Sequence, residues 1–179
     1  MKIETERVVL RKPNINDSES LAKNGNEKSM FYYTWYIPYP FTQVKAKKII
    51  SWLNNESKKK ENGVIVFCIV PKEIKKAVGI VDLYDINKKD KKAKIGFWIG
   101  KNYRGKGLTY EAVKSVLDLA FNKLNLNKVS ADVLVDNKAS NKLLEKLGFR
   151  KVGVMKKEKI IEGKVLDCFL WEIVNAKSD

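Results

Sequence analysis

Residues 92–121 hold the densest set of groups able to do chemistry: Lys101, Arg104 and Lys106 interleave with Gly105 and Gly107, between an apolar run and a stretch of helical periodicity. Glycines leave the main chain uncrowded, and the N–H groups that open a helix have no partner inside it. Such a loop can present a row of donors to an anion, with the three cations adding charge. The same glycines also suit any sharp strand-to-helix turn that needs a positive φ, and loop chemistry alone leaves both explanations open. Spacing excludes two familiar phosphate loops. A Walker loop requires G-x-x-x-x-G-K-[ST], which does not occur, and Gly105-Lys106-Gly107 begins a dinucleotide fingerprint whose third glycine is replaced by Tyr110.

Other reactive groups are few. The chain contains no histidine, which rules out Ser-His-Asp and Cys-His chemistry. Cys68 and Cys168 each lie in apolar runs and read as reduced core residues, so neither a disulfide nor a metal site is expected.

A loop of this kind acts only if its flanking elements hold it. Upstream, Ile95, Phe97 and Ile99 alternate with Gly96, Trp98 and Gly100, the period-two pattern of a strand. Downstream, Val113, Val116, Leu117, Ala120, Phe121 and Leu124 recur at helical spacing and predict a helix with one apolar face. Around this centre the pattern predicts a first strand within Thr5–Lys12, a short helix capped by Asn16 or Asp17, irregular chain from Ser29 to Phe41, and a helix capped by Thr42. That last helix runs into a solvated lysine cluster at 58–60. Val64–Val70 and Ala77–Tyr84 read as an antiparallel hairpin. Lys128–Val135 is a further strand, Asp136 or Asn137 starts a helix that Gly148 ends, and Phe149–Met155 and Val165–Val174 are final strands joined at Glu162-Gly163. The rings of Tyr32, Tyr33, Trp35 and Tyr36 suit either a packed connection or a groove for an incoming peptide or amine. Hairpins with one strand-helix-strand crossover give an α/β (α+β) mixed sheet flanked by helices.

With 179 residues, 44% of them hydrophobic, the chain reads as one domain over residues 1–179 with a sizeable core. The longest apolar run, Val64–Val70, is too short to cross a bilayer, and Met1-Lys2-Ile3-Glu4 does not open a secretory signal. A cytoplasmic location without a membrane partner is therefore expected. A net charge of +15 favours polyanions, whether a multiply phosphorylated cofactor or ribosomal RNA. The lysines are nevertheless spread as a solvated surface spreads them, and no RNA-binding module is present.

After the apolar strand, Arg104-x-x-Gly107-x-Thr109 resembles the Q/R-x-x-G-x-G/A segment of the GNAT superfamily of acyl-CoA N-acyltransferases, with Thr109 departing from the usual Gly or Ala. The resemblance extends to the branch typified by ribosomal-protein N-terminal acetyltransferases. It is carried, in the family's order, by Thr5-Glu6-Arg7 with Leu10-Arg11, Ile95-Gly96-Phe97-Trp98, Gly105-Lys106-Gly107, Glu111-Ala112, Asn137-x-x-Ser140 and Leu144-Glu145-Lys146-Leu147-Gly148-Phe149. It implies a GNAT fold: a mixed, mostly antiparallel sheet of about seven strands flanked by about four helices, with a splayed central strand pair that admits a pantetheine arm. It implies acetyl-CoA as the donor, its pyrophosphate on the main chain of Arg104, Gly105, Lys106, Gly107, Leu108 and Thr109. Its arm would pair along Trp98, Ile99 and Gly100, with Asn137 in contact. Asn137 also suits a plain helix cap.

Transfer is expected to be direct, a neutral amine attacking the thioester while N–H donors hold the oxyanion and an acid reprotonates the thiolate. The tyrosine acid common in the family is replaced by Leu144, which leaves Ser140 as the hydroxyl that matches the branch. Where relatives often carry glutamate, this chain has Lys94, so deprotonation falls to Asp82, Asp85, Asp132 or a water chain, with Asp82 the choice among them. An α-amine of pKa about 7.8 is about one third neutral at pH 7.5, whereas a lysine-like nitrogen of pKa about 10.4 must give up its proton at a cost of about 4 kcal/mol. The absence of an obvious strong base therefore favours a protein N-terminus, such as that of a ribosomal protein, with the ribosome as an associated partner. The alternatives are a small amine, polyamine or antibiotic, or a catalytically impaired CoA- or RNA-binding protein. Exposed edge strands favour a homodimer.

Overall fold

The structure, a computed structural model, describes residues 1–34, 36–59 and 63–176. Among the described residues, eight strands form one sheet: β1 (Lys2–Glu4), β2 (Val8–Arg11), β3 (Ile65–Pro71), β4 (Gly79–Asn87), β5 (Lys92–Ile99), β6 (Lys128–Leu134), β7 (Arg150–Ile161) and β8 (Lys164–Val174). Five α-helices among the described residues cover it: α1 (Ser18–Gly25), α2 (Lys28–Tyr33), α3 (Gln43–Glu56), α4 (Leu108–Asn122) and α5 (Lys138–Lys146). The strand order is β1-β2-β3-β4-β5-β6-β8-β7, and every neighbouring pair is antiparallel except β5 and β6, which the α4 crossover makes parallel.

Alternation along the strands builds two cores. Phe67, Ile69, Val81, Leu83 and Ile95 face Ala112, Val113, Val116 and Ala120 of α4. Their strand neighbours Val66, Cys68, Val70, Ile80 and Trp98 face Leu21 of α1 and Ala46, Ile50 and Leu53 of α3. Both cysteines are buried and free. Thr42 caps α3 by accepting from the Lys45 N–H, as its sequence position predicts.

Three local expectations change. The predicted first strand is two: Thr5 turns back on Val8, its N–H donating to the Val8 carbonyl and its hydroxyl oxygen accepting from the Val8 N–H, so β1 adds a short edge and raises the strand number to eight. Asp17 stands at the N-cap position of α1, one of the two caps predicted, but its side chain makes no cap bond there; a single helical turn over Ile15–Asp17 precedes α1 and is capped by Asn14. The Asn14 side chain accepts from the Asn16 N–H, while Asp17, buried in a forked ion pair with Arg11, accepts from the Asn14 N–H. The segment predicted as irregular from Ser29 to Phe41 starts inside α2, which buries Met30 and adds a fifth helix. Trp35 and Lys60 lie outside the described residues.

The central feature is a fork in the sheet. β5 and β6 pair only at Lys92, Ala93 and Lys94 with Lys128, Val129 and Ser130, although β5 continues to Ile99 and β6 to Leu134. Beyond Lys94 the two strands part, as the splayed pair expected from the sequence requires. A cavity of about 780 Å³ opens at the fork.

Candidate active site

One wall of the cavity is the turn after β5. Gly105 and Gly107 sit at φ of +74° and +76°, left-handed values that favour glycine, and Gly107 opens α4 without a side-chain cap. Among the described residues no acceptor takes the N–H of any residue from Gly105 through Tyr110. These donors, together with the positive end of α4, suit an anion. Gly105, Gly107 and Thr109 line the cavity, Leu108 turns its side chain into the core, and Lys106 is exposed with its ammonium 5.7 Å from the centre of the Tyr103 ring. The Arg104 guanidinium is committed elsewhere: Nη2 pairs with Glu27 Oε2 at 2.5 Å and Nε donates to the Ile99 carbonyl at 3.3 Å.

The edge of β5 supplies a second set of polar groups. Gly100 donates its N–H to Val78 O at 2.8 Å, so the Gly100 main chain faces β4. Peptide alternation then turns the N–H and C=O of Ile99 and Phe97 the other way, into the fork. Trp98 and Ile99 line the cavity with their neighbours Gly96 and Phe97.

Across the fork, Asn137 caps α5, its Oδ1 accepting from the Ser140 N–H at 3.2 Å. The cap is therefore real, and Asn137 and Ser140 both line the cavity as well. Leu144 is fully buried in the core.

The fourth wall carries the carboxylates. Asp82 on β4 lies opposite Gly96 on β5, is 5% exposed, and faces the cavity. Burial pushes its carboxyl up to about 7, against the opposing influence of the Gly96 main chain. Asp132 on β6 is half-buried with its side chain 6% exposed, but Lys94 Nζ lies 2.6 Å from its Oδ2, so its charge is matched. Burial tends to lower the Lys94 ammonium, and the bond to Asp132 more than compensates, raising it. Asp85 sits at an irregularity in the β4–β5 pairing with φ of +50°. Tyr84, two residues after Asp82 and so on its face of the strand, and Tyr36 join this wall. Burial raises both phenols. The sequence reading had not placed Tyr84 in the site, although the two-residue step from Asp82 carried the signal.

Known proteins share this fold. Residues 7–150 match the family described as Acetyltransferase (GNAT) domain. The chain is 32% identical over 171 residues to Uncharacterized N-acetyltransferase p20 of Bacillus licheniformis, covering 95% of this chain and 94% of that one. The chain belongs to the GNAT acetyltransferase family. This acetyltransferase also superimposes on the Ribosomal-protein-S5-alanine Acetyltransferase from Vibrio fischeri with a TM-score of 0.84 and 26% identity, covering 99% and 98% of the two chains. It is 31% identical over 103 residues to a Spermidine N(1)-acetyltransferase of Vibrio cholerae, covering 58% and 60%. Relatives with different acceptors thus flank it.

As a member of the family the acetyltransferase takes acetyl-CoA as its acetyl donor. The residues present fit that molecule: a run of unpartnered N–H groups for phosphates and an open strand edge for an amide-bearing arm. Among the described residues, no three His, Cys, Asp or Glu side chains gather as a metal site would need. No described helix is long and apolar enough to cross a membrane.

Proposed function

We propose that the acetyltransferase acetylates the α-amine of a polypeptide, a ribosomal-protein N-terminus being one such acceptor, with Asp82 as the base. The observation that carries this reading is the buried, cavity-facing Asp82 carboxyl pushed up to about 7. A base at that value lies within about one pKa unit of an α-amine but more than three below a polyamine or lysine ammonium. Charge supports the same choice. Of the cavity carboxylates, Asp132 pairs with Lys94 and Glu56 with Lys59, while Arg104 pairs with Glu27; Asp82 and Asp85 then stand against Lys146 and Lys159, which leaves no net negative field for a polycation.

Bound acetyl-CoA supplies the electrophilic thioester carbonyl. The N–H groups from Gly105 through Tyr110 would receive its diphosphate, and the open main-chain groups of Phe97 with the Ile99 N–H would align its arm in the fork, the Ile99 carbonyl being held by Arg104. Asn137 faces that arm while it caps α5. The acceptor enters past Tyr32 and Tyr33, which line the same cavity. As nitrogen attacks, Asp82 takes the amine proton; the C–N bond forms, the C–S bond breaks, and the Ser140 hydroxyl passes a proton to the thiolate sulfur while taking one from water, Asp82 then giving its proton to solvent. Lys94 holds Asp132 in its ion pair and so leaves Asp82 as the free buried base.

A competition assay tests this. With acetyl-CoA and equimolar α-amine peptides, spermidine and an aminoglycoside, mass spectrometry is expected to find acetyl groups on peptide N-termini. Stoichiometric acetylation of the small amines alone would replace this acceptor with a small one.

A further inference from the structure

The N-terminal segment reaches across the sheet to the anion-binding turn, and nothing in the reaction described so far uses it. Arg7 Nη1 donates to the Lys106 carbonyl at 2.8 Å, inside the turn. Arg7 Nε donates to Glu111 Oε2, and the Arg7 N–H to Glu111 Oε1, each at 2.8 Å. The Thr5 hydroxyl donates to the same Oε1. A Cβ placed on Gly107 would lie 3.1 Å from Arg7 Nη2, so the guanidinium forms the back of the turn.

Two consequences follow from elementary geometry and charge. In a trans peptide the C=O and N–H point in opposite directions, so tying the Lys106 carbonyl to Arg7 turns the Gly107 N–H away from Arg7. Glu111 sits in the first turn of α4, where its negative charge would repel an incoming anion, and the guanidinium 2.8 Å away offsets it.

We propose that Arg7 is a positioning residue that, clamped by Glu111, fixes the 105–110 turn in the shape and charge that receive a diphosphate. This rests on the reading of that turn as the diphosphate site. The clamp joins residues about a hundred positions apart, which makes donor binding depend on the docked N-terminal segment.

The test compares two ligands by calorimetry, CoA and pantetheine, which lacks the diphosphate. In the unaltered protein CoA is expected to bind more tightly. In Arg7→Ala the affinity for CoA is expected to fall about tenfold or more, the loss of an oriented hydrogen bond and a charge match. Affinity for pantetheine should stay within about twofold. Arg7→Lys, which keeps the charge but replaces the separate donors on Lys106 O and Glu111 by a single nitrogen, is expected to lose the preference for CoA in the same direction and serves if Arg7→Ala does not fold. An unchanged preference in both variants, or an equal loss for both ligands, overturns the role of Arg7. An unaltered protein that binds pantetheine as tightly as CoA overturns the reading of the turn and the role of Arg7 with it.

Discussion

The carboxylate of Asp82 occupies the space that a side chain on Gly96 would fill: a Cβ built there would lie 2.7 Å from Asp82 Oδ1. The two residues face each other across β4 and β5 at the mouth of the fork. A glycine that the strand pattern alone would disfavour is thus explained by the group it admits.

Gly96→Ala is therefore expected to keep the fold but displace the carboxyl. Since reactivity falls steeply with small misplacements of a reacting group, kcat should drop about 10- to 100-fold. Steady-state kinetics beside a thermal melt would check this, the melt moving by only a few degrees.

Asp82 also links stability to pH. Its carboxyl is raised from 3.8 to about 7 in the folded chain. In the unfolded chain it loses its proton near pH 4, while the folded chain holds the proton until about pH 7. The folded state thus binds more protons in that interval, so stability falls as pH rises from about 4 to about 7 and is level above. Asp82→Asn removes the slope and should be more stable than the unaltered protein at pH 8 by up to about 4 kcal/mol, with little difference below pH 4. Urea unfolding at the two pH values measures it.

Lys94→Gln is expected to alter selectivity. It leaves the Asp132 carboxylate without its 2.6 Å partner and turns the cavity negative. Stability should fall by about 1–3 kcal/mol, the partial exposure of Lys94 moderating the loss. The ratio of spermidine to peptide turnover should rise by about tenfold, which a competition assay read by mass spectrometry would show.

Asn137 separates two roles. Asn137→Ala removes the bond to the Ser140 N–H and should cost about 1 kcal/mol of stability, whereas Asn137→Ser can keep the cap. If Asn137 also contacts the cofactor arm, Asn137→Ser raises the KM for acetyl-CoA while stability stays unchanged. Ser140→Ala should lower kcat about 10- to 100-fold without changing that KM.

What the sequence made legible was local. The β3–β4 hairpin, the strand-turn-helix at β5 and α4, and the Asn137 cap are set by periodicity and by residues within a few positions of one another. α2 was missed because no side chain caps it and its anchor is the burial of Met30 in a distant core. The pairing of Lys94 with Asp132 and the clamp of Arg7 on Glu111 span 38 and 104 positions, and strand order, not spacing, brings them together. Asp82 is the choice among the carboxylates from sequence alone, but the reason for setting Asp132 aside, its ion pair with Lys94, is carried by the fold.

The account turns on Asp82 acting as a base poised near neutrality, and the pH dependence of kcat/KM tests it most directly. The acceptor should be a weakly basic amine that stays neutral throughout the range. For the unaltered enzyme the account predicts a limb that rises with unit slope and breaks near pH 7, as Asp82 loses its proton. In Asp82→Asn the rate should fall about 10²- to 10⁴-fold and the limb should vanish. A limb that persists unchanged in Asp82→Asn would contradict the account and move the base to another group.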